Sequence, residues 1–250
     1  MSTVKNPTKN STQPAGAKSG SSSWRRGLGW LLVAVSGFYA LFALAVAGQT
    51  TAALVGLAEP TARAAPPLFV VHAVTGAVAL AAASVQLGLL ATPPRSSQRR
   101  WHRGLGLTYV TTAIGTSVLS LPVVAAFDVG RWAKAAFLGE AALWLFTTIV
   151  AYWHIRARRV ARHREWMLRS FALAAFFITF SLWDPLLALA TRAEAGASRA
   201  ETGFAVAVLL GWLVNLVVAE VWLRWSRRSA QGTDGVDDVL GDGQAGGRGR

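Results

Sequence analysis

Cysteine is absent from the 250-residue chain. That excludes disulfides, cysteine-ligated iron–sulfur clusters, covalent c-type haem attachment and thiol nucleophiles. Any metal or cofactor ligand must come from His, Asp, Glu, Met or the backbone, and no metal-ligand spacing is present in the sequence. Charge is also scarce. Only 15% of residues are charged, whereas a soluble domain carries about a quarter. The shortage is uneven: residues 27–58, 64–94 and 104–127 carry no charge, and 135–155, 170–191 and 202–223 carry one acid each.

What remains is apolar. Each of these runs is long enough for a helix to cross the hydrocarbon core, which takes about 20 residues. Only helices or closed barrels satisfy their backbone polar groups in lipid. The runs are rich in Leu, Ala and Val and do not alternate strictly, so a barrel is excluded. The sequence therefore predicts an all-α, polytopic membrane helix bundle. Its six transmembrane helices are expected near 27–49, 66–91, 104–127, 131–156, 163–190 and 202–225. Residues 1–23 are rich in Ser, Thr, Lys, Gly and Pro, and 229–250 are rich in Gly and Asp. Neither can bury a core, so both are expected to be disordered.

The net charge of +13 invites a nucleic-acid reading. The basic residues flank apolar spans instead, which is the pattern of the positive-inside rule. Seventeen Lys and Arg lie at the N-terminal segment, the second and fourth loops and after the last helix, against five on the other side. Both termini are thus expected in the cytoplasm, with lipid and anionic headgroups as partners rather than nucleic acid. Nine of the eleven tryptophans lie near expected helix ends, as an interfacial belt requires. Trp144 and Trp212 lie deep.

Two polar groups stand out. On the cytoplasmic side Arg100, His102 and Arg103 open the third span, and His163, Arg164 and Arg169 open the fifth. Helix N-termini favour anions, and added Arg and His strengthen that preference. Such a face suits an anion, a lipid headgroup or a cofactor, although topogenic charge alone would also place arginines there. Arg169 lies about 9 Å along the helix from His163 at 1.5 Å per residue, so it either snorkels or has an internal partner. In the outer half lie His72, Glu140 and Asp184. Intramembrane ionisable groups usually face a cavity or a partner. A shared polar site is one reading. The other is that neighbouring hydroxyls satisfy each group singly.

Helical spacing places Glu140, Trp144, Thr147, Ala151 and His154 on one stripe. His163, Met167, Ser170, Ala174, Phe177, Ser181 and Asp184 form a second, and His72, Gly76, Ala79, Ala83 and Gln86 form a small-residue third. Asn215 reads as interhelical glue, and Glu220 as a partner for arginines near the cytoplasm.

Three of these segments resemble landmarks of a bacterial membrane family, domain of unknown function 2306. They are the His72 helix, the run His102, Arg103, Leu105, Gly106, Tyr109 and Val110, and above all His163, Arg164, Trp166, Met167, Arg169 and Ser170. The likeness covers about residues 66–190 and implies a bacterial inner-membrane protein. It supplies no reaction, and Glu140 and Asp184 are not part of it.

Function is therefore weighed from the residues. A haem-binding or redox role is motivated by four histidines and by arginines able to pair propionates. Bis-His ligation needs two histidines at one depth, yet His72 is outer while His102, His154 and His163 are inner. That leaves at most one interfacial haem. A proton-coupled transporter would use His72, Glu140 and Asp184. An enzyme acting on lipid headgroups would use the cytoplasmic corners, but no nucleophile motif or phosphate loop supports one.

Overall fold

The computed structural model describes residues 67–90, 98–192 and 197–245, and positions between 27 and 48, chiefly Val33–Phe42. Among these residues every regular element is a helix. Five helices are long and apolar enough to cross a membrane. The helices are α1 (Val33–Phe42), α2 (Pro67–Leu90), α3 (Gln98–Ala126), α4 (Arg131–Arg156), α5 (Val160–Ala174), α6 (Phe176–Arg192) and α7 (Ala197–Ala245). The expected first span, 27–49, is described only in part, and α1 lies within it. The expected 1–23 segment lies outside the described residues. The backbone of α7 stays helical to Ala245, past Ser229, where four glycines of low helix propensity made the sequence predict an end.

Helix α4 is the hub. It packs on α3, α5 and α7, while α2 packs mainly on α3. The small-residue stripe explains the α2–α3 contact. Ala79 and Ala83 are buried, and a Cβ at Gly76 would meet Thr116 at 3.5 Å. Close approach of this kind drives helix association where no hydrophobic effect operates. At the other end of α2, a Cβ on Gly88 would stand 2.9 Å from Val33, so α1 lies against α2 there.

The fifth span is interrupted at one residue. Helices α5 and α6 meet at Ala175, where the Ile178 N–H bonds the Ala175 carbonyl in a tight turn at 3.1 Å. Helix α5 packs on α4 and α7, and α6 packs on α7. The turn redirects the buried face. Phe176 is buried and Phe177 is exposed, so the single stripe expected through Phe177 holds only as far as Ser170. Phe176 stacks on Phe180 at 5.4 Å and meets Phe137 edge-on at 5.8 Å.

Gly211 makes room for this turn. A Cβ there would lie 2.9 Å from the Phe176 ring and 3.1 Å from Phe180 Cβ. Gly211→Ala should therefore destabilise the bundle by about 1–3 kcal/mol through overpacking. Unfolding in mixed detergent micelles measures this, and an unchanged midpoint would show that the rings move aside freely.

At the opposite end, Gly130 precedes α4 with φ 74° and ψ 155°, a region open essentially to glycine alone. The Glu201 side chain fills the space a Cβ would take. Its carboxylate lies over the start of α4, where negative charge is favourable.

Candidate functional site

The centre of the bundle is a hydrogen-bonded ring. Tyr109, Thr148 and Ser170 are fully buried on α3, α4 and α5. The Trp144 indole donates to the Tyr109 oxygen at 3.0 Å. Tyr109 and Ser170 are 2.6 Å apart, and Ser170 and Thr148 are 2.7 Å apart. Thr148 donates to the Trp144 carbonyl at 2.7 Å. An indole nitrogen only donates and a carbonyl only accepts, which sets the direction. Tyr109 donates to Ser170, Ser170 to Thr148, and Thr148 to the carbonyl. Reversed, the phenol hydrogen would have no acceptor in a dry interior. Neither end of the chain exchanges protons, so the ring is a lock between three helices and not a proton wire.

The lock sets the register of the end of the bundle that holds the α4–α5 turn. Tyr109 lies seven residues past His102, and Ser170 lies seven past His163. Helices α3 and α5 both run away from the α4–α5 turn end of the bundle, and seven residues are about two turns. Bonding Tyr109 to Ser170 therefore brings His102–Arg103 and His163–Arg164 to one level. His102 lies within electrostatic reach of His163 and Arg164. Arg100, His102, Arg103 and Arg164 are exposed, and His163 is half-buried.

The His163 Nδ1 lies 2.8 Å from the Ala151 carbonyl of α4. Because a carbonyl only accepts, Nδ1 carries the hydrogen and the neutral ring presents its lone pair at Nε2. His154, on the same side of α4, is buried with its Nδ1 unpartnered, and so is Gln86 Nε2 on α2. A Cβ at Gly106 would lie 3.4 Å from that Gln86 nitrogen, which places Gln86 one turn deeper than His102.

Arg169 behaves differently from its neighbours. It pairs with Glu220 of α7 through two hydrogen bonds, one of them Nη2 to Oε2 at 3.2 Å. Its guanidinium lies 4.7 Å from the Trp166 ring centre. One turn towards the start of α5, Arg227 chelates Glu165 at 3.0 and 2.5 Å. The two pairs clamp α5 to α7. Arg169 thus has its internal partner, and two of its donors are committed to Glu220.

The outer residues are not drawn together. The His72 Nδ1 lies 3.2 Å from the Thr116 carbonyl of α3, and Thr116 Oγ1 donates to Thr75 at 2.8 Å. Glu140 is buried on α4, and Asp184 is half-buried on α6 beside Pro185. Among the described residues no hydrogen bond or ion pair joins any two of the three. Helix α2 makes no extensive contact with α4 or α6. His72 and His163 are also far apart: Thr116 is fourteen residues from His102, about 21 Å along α3.

Several residues that matter here carried no clear signal in the sequence. Thr148 is a hydroxyl off the predicted stripe of an apolar helix, next to Thr147 on it. Glu165 and Arg227 read as ordinary interfacial charge. Only the acid-then-base order shared by Glu165 and Arg169, four apart, and by Glu220 and Arg227, seven apart, hinted at a paired face.

The two H-R segments locked by Tyr109 and Ser170 lie inside a wider match. A family model described as a predicted membrane protein (DUF2306) matches residues 69–223. The chain belongs to this family. The match runs from α2 into α7, so the family region holds the whole ring, both H-R segments, and Glu220 with Asn215. Asn215 accepts from Thr179 at 2.8 Å and joins α6 to α7. No curated protein and no solved structure matches the chain.

Proposed function

We propose that this multi-pass membrane protein resides in a bacterial inner membrane with both termini in the cytoplasm. In this reading the cytoplasmic ends of α3 and α5 form a binding surface for anionic lipid headgroups. The observation that carries it is the Tyr109–Ser170 bond, which sets two His-Arg pairs from distant segments at one level. Their surroundings favour an anion. Neither α3 nor α5 has an acid in its first turn, and the N-terminus of α5 has no side-chain cap, so its free N–H groups add to the positive field. The outer polar residues support a ligand less well, because each is satisfied or placed apart.

Thermal unfolding of the purified protein in neutral detergent tests this. Short-chain phosphatidylglycerol should raise the midpoint, whereas short-chain phosphatidylcholine should not. His102→Ala combined with Arg164→Ala should abolish most of the rise, and Arg158→Ala should leave it. Equal shifts for both lipids, or a rise that survives the double substitution, would overturn the reading. A reporter fused after Arg159 should be active in the cytoplasm.

A further inference from the structure

Glu140 differs from the other acids of the bundle. Glu220 and Glu165 are each bonded to an arginine. Asp128 and Glu201 are exposed, and Asp184 is half-buried. Among the described residues Glu140 is the only buried acid. It lies about 13 Å along α4 from Arg131, well inside a helix long enough to cross a membrane.

Nothing nearby compensates its carboxyl. Among the described residues no hydrogen bond or ion pair reaches it, and no cation lies within electrostatic reach. Helix α4 packs on α3, α5 and α7. From α3 the Tyr109 phenol lies within electrostatic reach, but its hydrogen goes to Ser170. On α5 and α7 the deeper charges are spent on each other, as Arg169 with Glu220 and Arg227 with Glu165. On α4 itself the flanking turns hold Phe137, whose ring meets Phe176, and Trp144, whose indole hydrogen goes to Tyr109.

Moving an unpaired carboxylate from water into an apolar interior is so costly that the group takes up a proton instead. An ionisable residue within a spanning helix is conserved in form only when it has a partner or a task, and Glu140 has no partner. We infer that Glu140 is an intramembrane proton-binding site, a carboxylic acid that keeps its proton inside the bundle and is reached from lipid rather than from water. Its surroundings on α4 fit that route. Glu140 keeps 8% of its surface open. Beside it Leu138 is exposed, and a side chain at Gly139 would touch nothing within 4 Å. Losing the proton would leave a negative charge one turn from Trp144, on the face that carries the ring. Occupancy by the proton and the packing of α4 on α3 are therefore coupled. The inference uses no group of the His-Arg rim, so it stands or falls apart from the anion-binding reading.

Labelling of the full chain in phosphatidylcholine nanodiscs with dicyclohexylcarbodiimide, a reagent that partitions into lipid, tests it. The acid proton passes to one nitrogen of the reagent, and the carboxyl oxygen adds to its central carbon. The acyl group then shifts to the other nitrogen, giving a stable N-acylurea from which no atom is lost. Peptide mass spectrometry should find the adduct at Glu140 and none at Glu220, which Arg169 holds. A cationic, water-soluble carbodiimide should leave Glu140 unmodified. Infrared spectra supply a readout that needs no reagent. The carbonyl stretch of a protonated carboxyl should be present in the native chain and lost in Glu140→Gln. That substitution replaces a neutral acid by a neutral amide, so the unfolding midpoint should stay unchanged. Absence of the adduct at Glu140, equal labelling by the water-soluble reagent, a carbonyl band that survives Glu140→Gln, or a lowered midpoint in that variant would each overturn the inference.

Discussion

Tyr109→Phe should destabilise the bundle by about 2–3 kcal/mol, although it removes a single oxygen atom. The substitution leaves the Trp144 indole hydrogen without its acceptor and takes from Ser170 the bond it receives. A buried donor stripped of its partner costs about 1–3 kcal/mol, more than the net worth of the bond. Membrane hydrogen bonds measured by double-mutant cycles average only about 0.6 kcal/mol, because the reference state also finds partners. A closed ring should exceed that. The cycle of Tyr109→Phe with Ser170→Ala, followed by unfolding in mixed micelles, reads the coupling directly. A coupling near the average would mean that the three hydroxyls act as separate bonds. Tyr109→Phe should also weaken the stabilisation by anionic lipid, because the ring holds the two His-Arg pairs level.

Arg169→Ala should cost roughly 2–3 kcal/mol, while Arg158→Ala should cost almost nothing. Breaking a buried pair by removing one partner costs about 3–5 kcal/mol. The side chains here are 15% and 33% exposed, so partial solvation reduces that figure. Arg169 also loses its contact with the Trp166 ring. Arg158 lies exposed in the turn between α4 and α5. Its φ of 59° adds mild strain that alanine would share. The exchanged double variant, Arg169→Glu with Glu220→Arg, should recover part of the loss. If Arg158→Ala proves as harmful as Arg169→Ala, depth and pairing do not explain the difference between them.

Much of this architecture was legible in one dimension because lipid imposes a simple rule. A spanning segment must be apolar and must satisfy its own backbone, so uncharged runs mark helices directly. Faces that meet protein in a membrane bundle are enriched in small and polar residues, so the stripes Glu140–His154 and His72–Gln86 marked buried faces. All five residues of the first stripe are buried. The depth of Arg169 left snorkelling or an internal partner, between which the structure chose Glu220, and the motif around His163 pointed to the family.

The sequence by itself therefore determined the helical membrane fold and the buried faces of α2 and α4, and it marked Arg169 as either snorkelling or internally paired. It could not decide how the helices meet. The break at Ala175 has no proline or glycine to announce it. There Phe176 packs against Gly211, a residue 35 positions away. The grouping of His72, Glu140 and Asp184 rested on depth along the helices, and depth is one coordinate. The azimuth of each helix places His72 on the α2–α3 contact and Asp184 on α6, beside α7. Likewise, only the tertiary structure aligned His102 with His163, because a tyrosine two turns deeper spans from α3 to a serine on α5. Hydropathy records how far a residue lies from water. Side-chain complementarity between helices, which no single segment encodes, decides which residues share a site.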